Sequence, residues 1–195
     1  FRKIVALLMG STKPHPRVLL VLAVFSRHDE SIVWTRNRAQ NAWGPIALES
    51  PRFPFDHTEF YRAEMGPGLR KQLLAFERLV EPEQLVEHKL QTNQWETEYQ
   101  RDCGLPESRP VNLDPGYLSE AKLVLATTKD RDHRIYLQRG IYAEVTLHYH
   151  RRQWTPRSWT YPDYRSAAYH KFLDACRDYL RGRLRLSATP RGESV

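Results

Sequence analysis

The chain contains little cysteine: Cys103 and Cys176 are the only two in 195 residues. Two cysteines cannot form a disulfide framework, and they lack the paired spacing of a zinc site. Structural disulfides belong to oxidising compartments, so a chain this poor in cysteine favours a reducing one. We therefore expect a cytoplasmic protein.

Long apolar runs are absent as well. No segment approaches the roughly 20 apolar residues that a membrane-spanning helix needs. Arg2 and Lys3 precede the apolar segment Ile4–Met9 in the manner of a secretion signal, but that segment is too short and no small-residue cleavage site follows it. We expect no membrane partner, and a poorly ordered extension over residues 1–14.

The glycine loops that bind phosphate and the common serine-nucleophile motif are missing too. The sequence FSRHDES follows the first apolar run, where a Rossmann fold would place its glycines. No Walker loop and no G-x-S-x-G motif occurs anywhere in the chain. These absences exclude a Rossmann fold and a P-loop nucleotide-binding protein.

The net charge of +7 is unevenly distributed. Residues 151–195 hold ten Arg or Lys against four Asp or Glu, whereas the rest of the chain is nearly balanced. Such a basic end can bind RNA through phosphate contacts. Alternatively, it is a solvated helix end whose arginines complement the helix dipole. We expect a single α+β domain over residues 15–181 and a basic flexible tail over residues 182–195.

The pattern of helices and strands predicts the fold class. Arg17–Phe25 is a continuous apolar run of strand length, and the helix after it stops at Gly44-Pro45. Leu69–Val80 is predicted as a strand, and Pro82–Gln100 as a helix with proline in its first turn. The order strand–helix–strand–strand–helix–strand, then a hairpin and a helix, predicts a ferredoxin-like α/β sandwich with an appended β-hairpin and C-terminal helix.

The segment from Val111 to Tyr149 places many ionisable residues within apolar structure. Asp-Pro-Gly is ordinary turn chemistry, and alternating apolar residues around a glycine predict a hairpin. The expected elements are a brief strand Val111–Leu113, a turn Asp114-Pro115-Gly116, a short helix Ser119–Ala126, and a hairpin of Asp132–Leu137 with Ile141–Tyr149.

Several long phrases of the chain resemble a known family. They are FPFDHTEFYRAEMGPGLRKQ, VNLDPGYLSEAKLVLATTKD, HRIYLQRGIYAEVTL and WTYPDYRS. Together they are similar to a bacterial family catalogued as domain of unknown function 4416, from about Pro14 to Arg181. The resemblance implies a soluble bacterial protein and transfers no catalytic or ligand-binding residue.

Asp114 is the first candidate for chemistry, with Tyr117 beside it as a ligand contact. An aspartate at a strand end beside a helix start is able to hold a metal or activate a water. The structural alternative is a turn in which the Asp114 side chain bonds backbone amides.

Thr128, Lys129, His133 and Arg134 form a second candidate group. Hydroxyls and cations close together suit an anionic phosphate or carboxylate ligand, and Arg binds such groups with a fork of N–H donors. The alternative is a solvated loop that leads into a strand. Neighbouring strand residues point to opposite faces, so His133 and Arg134 share a site only if the strand is bulged or lies at an edge.

Glu144 lies in the middle of a predicted strand, where a charged group must be paired or solvated. Its partner is expected to be Arg134 or Tyr136 across the hairpin, as a structural pair. Alternatively, Glu144 and Asp114 together bind a divalent cation such as magnesium or manganese. In a catalytic protein, Asp114, Glu144 and His133 would carry the acid–base chemistry.

A weaker polar cluster precedes and follows the turn Gly66-Pro67-Gly68. From it we take Lys71 as a further ligand-binding candidate. The members of this cluster are Glu59, Tyr61, Glu64, Arg70 and Lys71.

Three functions remain open from the sequence. The first is binding of, or action on, a phosphorylated small molecule or nucleotide through the residues above. The second is an RNA- or ribosome-associated module that uses the basic C-terminal helix and stacks bases on Tyr136 and Tyr142. The third is a non-catalytic protein-interaction module that presents the segment Trp154–Tyr164. The oligomeric state is not indicated.

Overall fold

The computed structural model describes residues 12–55 and 61–188. Within these ranges the chain forms nine strands and four α-helices. The strands are β1 (Val18–Ser26), β2 (Ile46–Glu49), β3 (Phe53–Pro54), β4 (Arg70–Val80), β5 (Asn112–Leu118), β6 (Lys122–Thr127), β7 (Ile135–Gln138), β8 (Ile141–His150) and β9 (Gln153–Pro156). The helices are α1 (Asp29–Trp43), α2 (Arg62–Met65), α3 (Leu85–Asp102) and α4 (Ala167–Ala188).

All described strands join one sheet, in which the main order is β2-β4-β1-β5-β6-β8-β7. β3 pairs with β4, β9 pairs with β8, and every pairing is antiparallel. The structure therefore confirms the α+β class.

Helices cover both faces of the sheet, which explains the unbroken apolar run of β1. Val18, Leu20, Leu22 and Val24 pack in a cluster with residues of α1 and α3. Leu19, Val21 and Ala23 point to the opposite face and pack in a cluster with residues of α4. A strand buried on both faces needs apolar side chains at successive positions rather than at alternate ones.

The helix ends follow the local sequence signals. Gly44 ends α1 with a φ of 97°, a conformation that favours glycine. A 3-10 turn over Pro82–Gln84 leads into α3, and Glu81 and Gln84 form a capping box around it. The structure confirms these two helices and the strand Leu69–Val80 to within three residues.

Two predicted elements between Val111 and Thr127 were wrong. The Asp114-Pro115-Gly116 turn does not form, because β5 continues through these residues to Leu118. The helix Ser119–Ala126 does not form either, because Lys122–Thr127 is strand β6. The apolar side chains of β6 pack on both the α3 side and the α4 side of the sheet. The strand is therefore a continuous apolar run, which sequence alone does not distinguish from a buried helix segment.

The chain ends differ from expectation in one respect. Residues 12–17 are exposed and irregular, whereas residues 1–11 of the predicted extension lie outside the described residues. Helix α4 continues to Ala188, seven residues past the expected boundary at Arg181. The rest of the predicted tail, residues 189–195, also lies outside the described residues. In the described part of the chain, no helix has the length and apolarity to cross a membrane.

Candidate functional site

Strands β5 and β6 separate from each other and open a cleft in the sheet. Their ladder contains only the pairs Gly116–Leu125, Tyr117–Val124 and Leu118–Leu123. Beyond Gly116, β5 continues along β1 to Asn112, while β6 follows β8 to Thr127. The polar side chains of the diverging ends face the space between the two strands.

Pro115 and Gly116 explain why the strands part at this point. Proline has no N–H group to donate to a neighbouring strand, so it suits the position where the ladder ends. At Gly116 an added Cβ atom would overlap the carbonyl oxygen of Val124 and lie 2.6 Å from a Leu125 methyl carbon. Gly116 therefore permits the close contact at which β5 and β6 last pair.

The β5–β6 cleft has a volume of about 90 Å³ and is lined mainly by polar side chains. Four of them are cationic and two are carboxylates, and two further carboxylates, Glu96 and Glu64, contact Arg109 from outside this lining. The charged residues are Lys89, Arg109, Lys129, Arg134, Asp114 and Glu144, and Tyr61, Tyr161, Asn112, Thr127 and Thr128 complete the polar lining.

Asp114 is held between two donors. Lys89 Nζ donates to its Oδ1 at 3.2 Å, and Asn112 Nδ2 donates to its Oδ2 at 2.7 Å. Burial alone would raise the pKa of Asp114, but the charges of Lys89 and Lys71 and the hydrogen bonds outweigh burial and lower it. Asp114 is therefore a stable carboxylate.

A second carboxylate, Glu96 on α3, fixes the position of Arg109 at the mouth of the cleft. Arg109 Nη2 donates to Glu96 Oε2 at 3.1 Å, while the backbone N–H of Leu113 donates to Glu96 Oε1 at 2.6 Å. Burial raises the pKa of Glu96, although Lys89 and Arg109 oppose that shift. The Arg109 side chain keeps 29% of its surface exposed and so stays accessible to a ligand.

Of the two partners expected for Glu144, Arg134 and Tyr136, the structure shows Arg134. Arg134 Nε donates to Glu144 Oε2 at 2.9 Å, and their side chains are only 6% and 5% exposed. His133 Nε2 lies 3.1 Å from the same oxygen, and its ring stacks on Trp159 at 5.0 Å between centroids. His133 and Arg134 thus reach one carboxylate because they precede β7 in a turn, where strand alternation does not apply.

Lys129 is an exposed member of the cleft lining. Its pKa is lowered by burial of part of the side chain and by the charges of Arg109 and Arg134, against the opposing effect of Asp114. Arg134 Nη1 donates to the Lys129 backbone oxygen at 3.0 Å and fixes the loop. Partial burial, more than neighbouring charge, thus disfavours the charged form of Lys129, and an anion in contact with it would favour that form.

The cleft brings together five of the nine predicted site residues, namely Asp114, Glu144, Lys129, Arg134 and Thr128. His133 lies directly behind Glu144. The other three, Lys71, Tyr117 and Tyr136, are located elsewhere.

Lys71 is buried below the cleft, where its Nζ donates to Asp163 Oδ2 at 2.7 Å. Tyr117 packs among apolar residues on the α3 side of the sheet. Tyr136 belongs to the edge strand β7 and is 57% exposed. Of the weak polar cluster, Glu59 lies outside the described residues, whereas Tyr61 lines the cleft.

The described residues include no group of three or more His, Cys, Asp or Glu side chains placed to hold a metal ion. Asp114 and Glu144, the pair expected to bind a divalent cation, each face a cationic side chain instead.

The segments considered for RNA or protein partners are partly buried in the fold. Trp154 and Tyr164 at the ends of the expected interaction loop are buried, whereas Trp159 and Tyr161 between them are 37% and 43% exposed. On α4, the Arg177 guanidinium lies 3.9 Å from the ring centroid of Tyr149, and Arg181 forms an ion pair with Glu120. These two arginines of α4 therefore contact the rest of the fold.

Sequence reasoning did not identify Lys89 and Arg109 as site residues. The sequence did contain a signal for Lys89, because this lysine falls among the apolar residues Leu85, Val86 and Leu90 on one stripe of α3. A charge on a buried stripe needs a partner on a neighbouring element. Arg109 lies in an irregular segment, and nothing in the local sequence identifies it as a site residue.

The chain matches the family model described as Domain of unknown function (DUF4416) over residues 16–179. It belongs to that family, as the resemblance implied. No curated protein matches the chain, and no solved structure matches it.

Proposed function

We propose that this member of the DUF4416 family binds a small phosphorylated compound in the β5–β6 cleft. The observation that carries the proposal is the set of four cationic side chains against two carboxylates in a space of about 90 Å³. Hydrogen bonds between cationic donors and phosphate are among the strongest that proteins make. A phosphate group in the cleft would accept such hydrogen bonds from its cationic side chains.

Arg109 and Lys129 are the residues proposed to contact the phosphate. Both line the cleft and keep exposed side-chain surface, and Arg109 is held in place by its hydrogen bond to Glu96. Lys89 and Arg134 are almost fully buried and pair with Asp114 and Glu144. They supply positive potential and keep the walls of the cleft rigid.

The proposal extends to binding and not to a reaction. Asp114 and Glu144 accept hydrogen bonds from Lys89 and Arg134, so these carboxylates are suited to positioning the two cations. Acid–base roles for Asp114, Glu144 and His133 stay predictions, which an activity screen with phosphate esters would test.

The test is isothermal titration of inorganic phosphate into the purified chain and into Lys129→Ala. We expect Lys129→Ala to weaken binding about 10- to 100-fold, since one charge-assisted hydrogen bond is worth about 1.5–3 kcal/mol. Lys129→Arg should retain most of the affinity. The matched control is Lys122→Ala, because Lys122 lies at the opposite end of β6 and does not line the cleft.

Two results would contradict the proposal. One is the absence of heat from phosphate at millimolar concentration in the folded wild-type chain. The other is an equal loss of affinity in Lys129→Ala and Lys122→Ala, which would indicate loose electrostatic attraction. If phosphate fails and RNA binds in a way that depends on the arginines of α4, the RNA-binding alternative replaces the proposal.

We also propose that β1, α1, β2, β4, α3 and β5 form a ferredoxin-like core. Its support is the strand order β2-β4-β1-β5 with antiparallel pairing, and the packing of α1 and α3 in one cluster on the same face. Strands β6 to β9 extend the sheet, and α4 covers its opposite face. A crystal structure with another strand order, or with α1 and α3 on different faces, would exclude this assignment.

A cytoplasmic location is a further part of the proposal. It is supported by Cys103 and Cys176, both of which are free thiols. Fractionation of cells that express the full-length gene product would test it, and recovery in a secreted or membrane fraction would contradict it.

A further inference from the structure

A polar recess adjoins the cleft on the far side of Arg109. It has a volume of about 340 Å³ and lies between the outer surface of α3 and the segment that leads into β5. Arg109 and Thr128 line both the recess and the β5–β6 cleft, so the two spaces meet at these residues. A ligand that binds in the cleft therefore extends naturally into the recess.

The sizes of the two spaces indicate how a ligand is divided between them. The cleft, at about 90 Å³, is far smaller than the roughly 300–1,000 Å³ of ordinary small-molecule pockets. It suits a single anionic group. The recess, at about 340 Å³, has room for the remainder of a small metabolite.

The side chains of the recess indicate the chemistry of that remainder. Asn93 and Gln100 contribute amides, Thr97 and Ser108 contribute hydroxyls, and no aromatic side chain lines the recess in the described residues. Amides and hydroxyls exchange hydrogen bonds with hydroxyl groups of a ligand. Nucleobases are instead recognised by stacking on aromatic rings or on guanidinium planes.

Arg109 is fixed at the junction of the two spaces. Its Nη2 donates to Glu96 Oε2 at 3.1 Å, and its Nη1 lies 3.8 Å from Glu64 Oε2. Two carboxylates thus hold the guanidinium in one orientation, which reduces the entropy lost when it binds an anion. The anionic group of the ligand is therefore expected next to Arg109, with its polar remainder on the recess side.

We infer that the ligand is a sugar phosphate, whose phosphate lies in the cleft and whose hydroxyl groups lie in the recess. The inference rests on the proposed phosphate site and specifies the substrate class that this site accepts. A nucleotide fits less well, because the described recess lining offers no aromatic ring to its base, and the Arg109 guanidinium in that lining is held by Glu96 and Glu64.

The experiment compares inorganic phosphate, a hexose phosphate and adenosine monophosphate by isothermal titration of the full chain. We expect the hexose phosphate to bind about tenfold or more tightly than inorganic phosphate, since each added hydrogen bond is worth about 1 kcal/mol. The double variant Asn93→Leu/Gln100→Leu should lose this advantage and keep its affinity for inorganic phosphate.

The matched control is Gln94→Leu, on the same helix α3. Gln94 bonds Glu98 on the helix surface and does not line the recess, so this variant should bind the hexose phosphate as the wild type does.

The outcomes separate this inference from the proposal on which it rests. If inorganic phosphate does not bind the wild-type chain, the phosphate site itself is wrong. If inorganic phosphate binds but the hexose phosphate has no advantage, or the double variant keeps that advantage, the sugar assignment is wrong and the phosphate site stands. Tighter binding of adenosine monophosphate than of the hexose phosphate would also overturn the sugar assignment.

Discussion

Lys89 Nζ lies 3.2 Å from Asp114 Oδ1, although the two residues belong to opposite sides of the sheet. Lys89 is on α3, whereas Asp114 is in register with Ala23, which packs on the α4 side. The lysine reaches the aspartate where β5 and β6 have separated. The gap between β5 and β6 therefore lets the buried cation of Lys89, on the α3 side of the sheet, reach a carboxylate on the α4 side.

The ion pair of Lys71 with Asp163 is predicted to stabilise the fold. Both side chains are at most 5% exposed, and the Lys71 Nζ also lies 4.4 Å from the ring centroid of Tyr164. Asp163→Ala leaves Lys71 buried without a counter-charge and should cost about 3–5 kcal/mol of unfolding free energy. Urea unfolding measures this loss.

The control for that prediction is Asp102→Ala. Asp102 pairs with Arg101 on the protein surface, where both side chains are more than half exposed. Exposed pairs contribute little, so the control should change stability only slightly. Equal losses in the two variants would show that Asp163 has no special structural role.

Gly116→Ala is predicted to destabilise the fold at the point where β5 and β6 last pair. The new Cβ atom would overlap the backbone oxygen of Val124, which cannot move without disturbing the strand. Overpacking of this kind typically costs about 1–3 kcal/mol. Differential scanning calorimetry should show a clear fall in the melting temperature.

Gly182→Ala is the matched control, and we expect it to raise the stability of the fold. Gly182 lies in α4 with open space around it, so the helix propensity of alanine should stabilise the chain by up to about 1 kcal/mol. If Gly116→Ala proved as harmless as Gly182→Ala, the close approach of β5 to β6 would be wrong.

His88 is predicted to make stability depend on pH. Burial and the nearby Arg78 lower the pKa of His88 from 6.5 to about 4, against the opposing effect of Glu87. Between these values the unfolded chain binds a proton that the folded chain does not, so stability falls as the pH drops from 6.5 to 4. The contribution lost is about 3 kcal/mol at most.

His88→Leu should remove this part of the pH dependence, because leucine does not titrate. The control is His15→Ala, since His15 is exposed and its loss should leave the pH profile unchanged. Urea unfolding at intervals between pH 4 and pH 7 would detect the difference. A wild-type profile that stays flat over this range would show that His88 is not shielded from protons.

Glu144→Gln is predicted to change stability and phosphate binding in opposite directions. It leaves Arg134 buried without a counter-charge, which should cost about 3 kcal/mol of unfolding free energy. The cleft gains one net positive charge, so inorganic phosphate should bind several-fold more tightly. Glu120→Gln is the surface control, since the Glu120 side chain is 54% exposed in its pair with Arg181. Weaker phosphate binding by folded Glu144→Gln would contradict the electrostatic account.

Local chemistry was sufficient to predict part of the site. A charged glutamate inside a strand needs a partner, and the short hairpin limited the choice to Arg134 or Tyr136, of which Arg134 forms the pair. Lys129 and Thr128 follow from the same segment, since the loop after β6 lies close to that pair.

The rest of the site depends on contacts between distant parts of the chain. Arg109 and Glu96 meet only because α3 and the segment before β5 fold against each other. The Asp114-Pro115-Gly116 sequence illustrates the same limit, because its turn chemistry is overridden by pairing of β5 with β1 along its whole length. The turn-type residues of this sequence instead lie where β5 stops pairing with β6.

The most direct test of the account is the pKa of the Lys129 ammonium, measured by NMR with and without saturating inorganic phosphate. Without phosphate, the pKa of Lys129 should lie below the ordinary lysine value, because of partial burial and the charges of Arg109 and Arg134. On saturation it should rise, since an anion in contact with the ammonium favours the charged form. A Lys129 pKa that phosphate leaves unchanged would contradict the claim that the cleft binds phosphate.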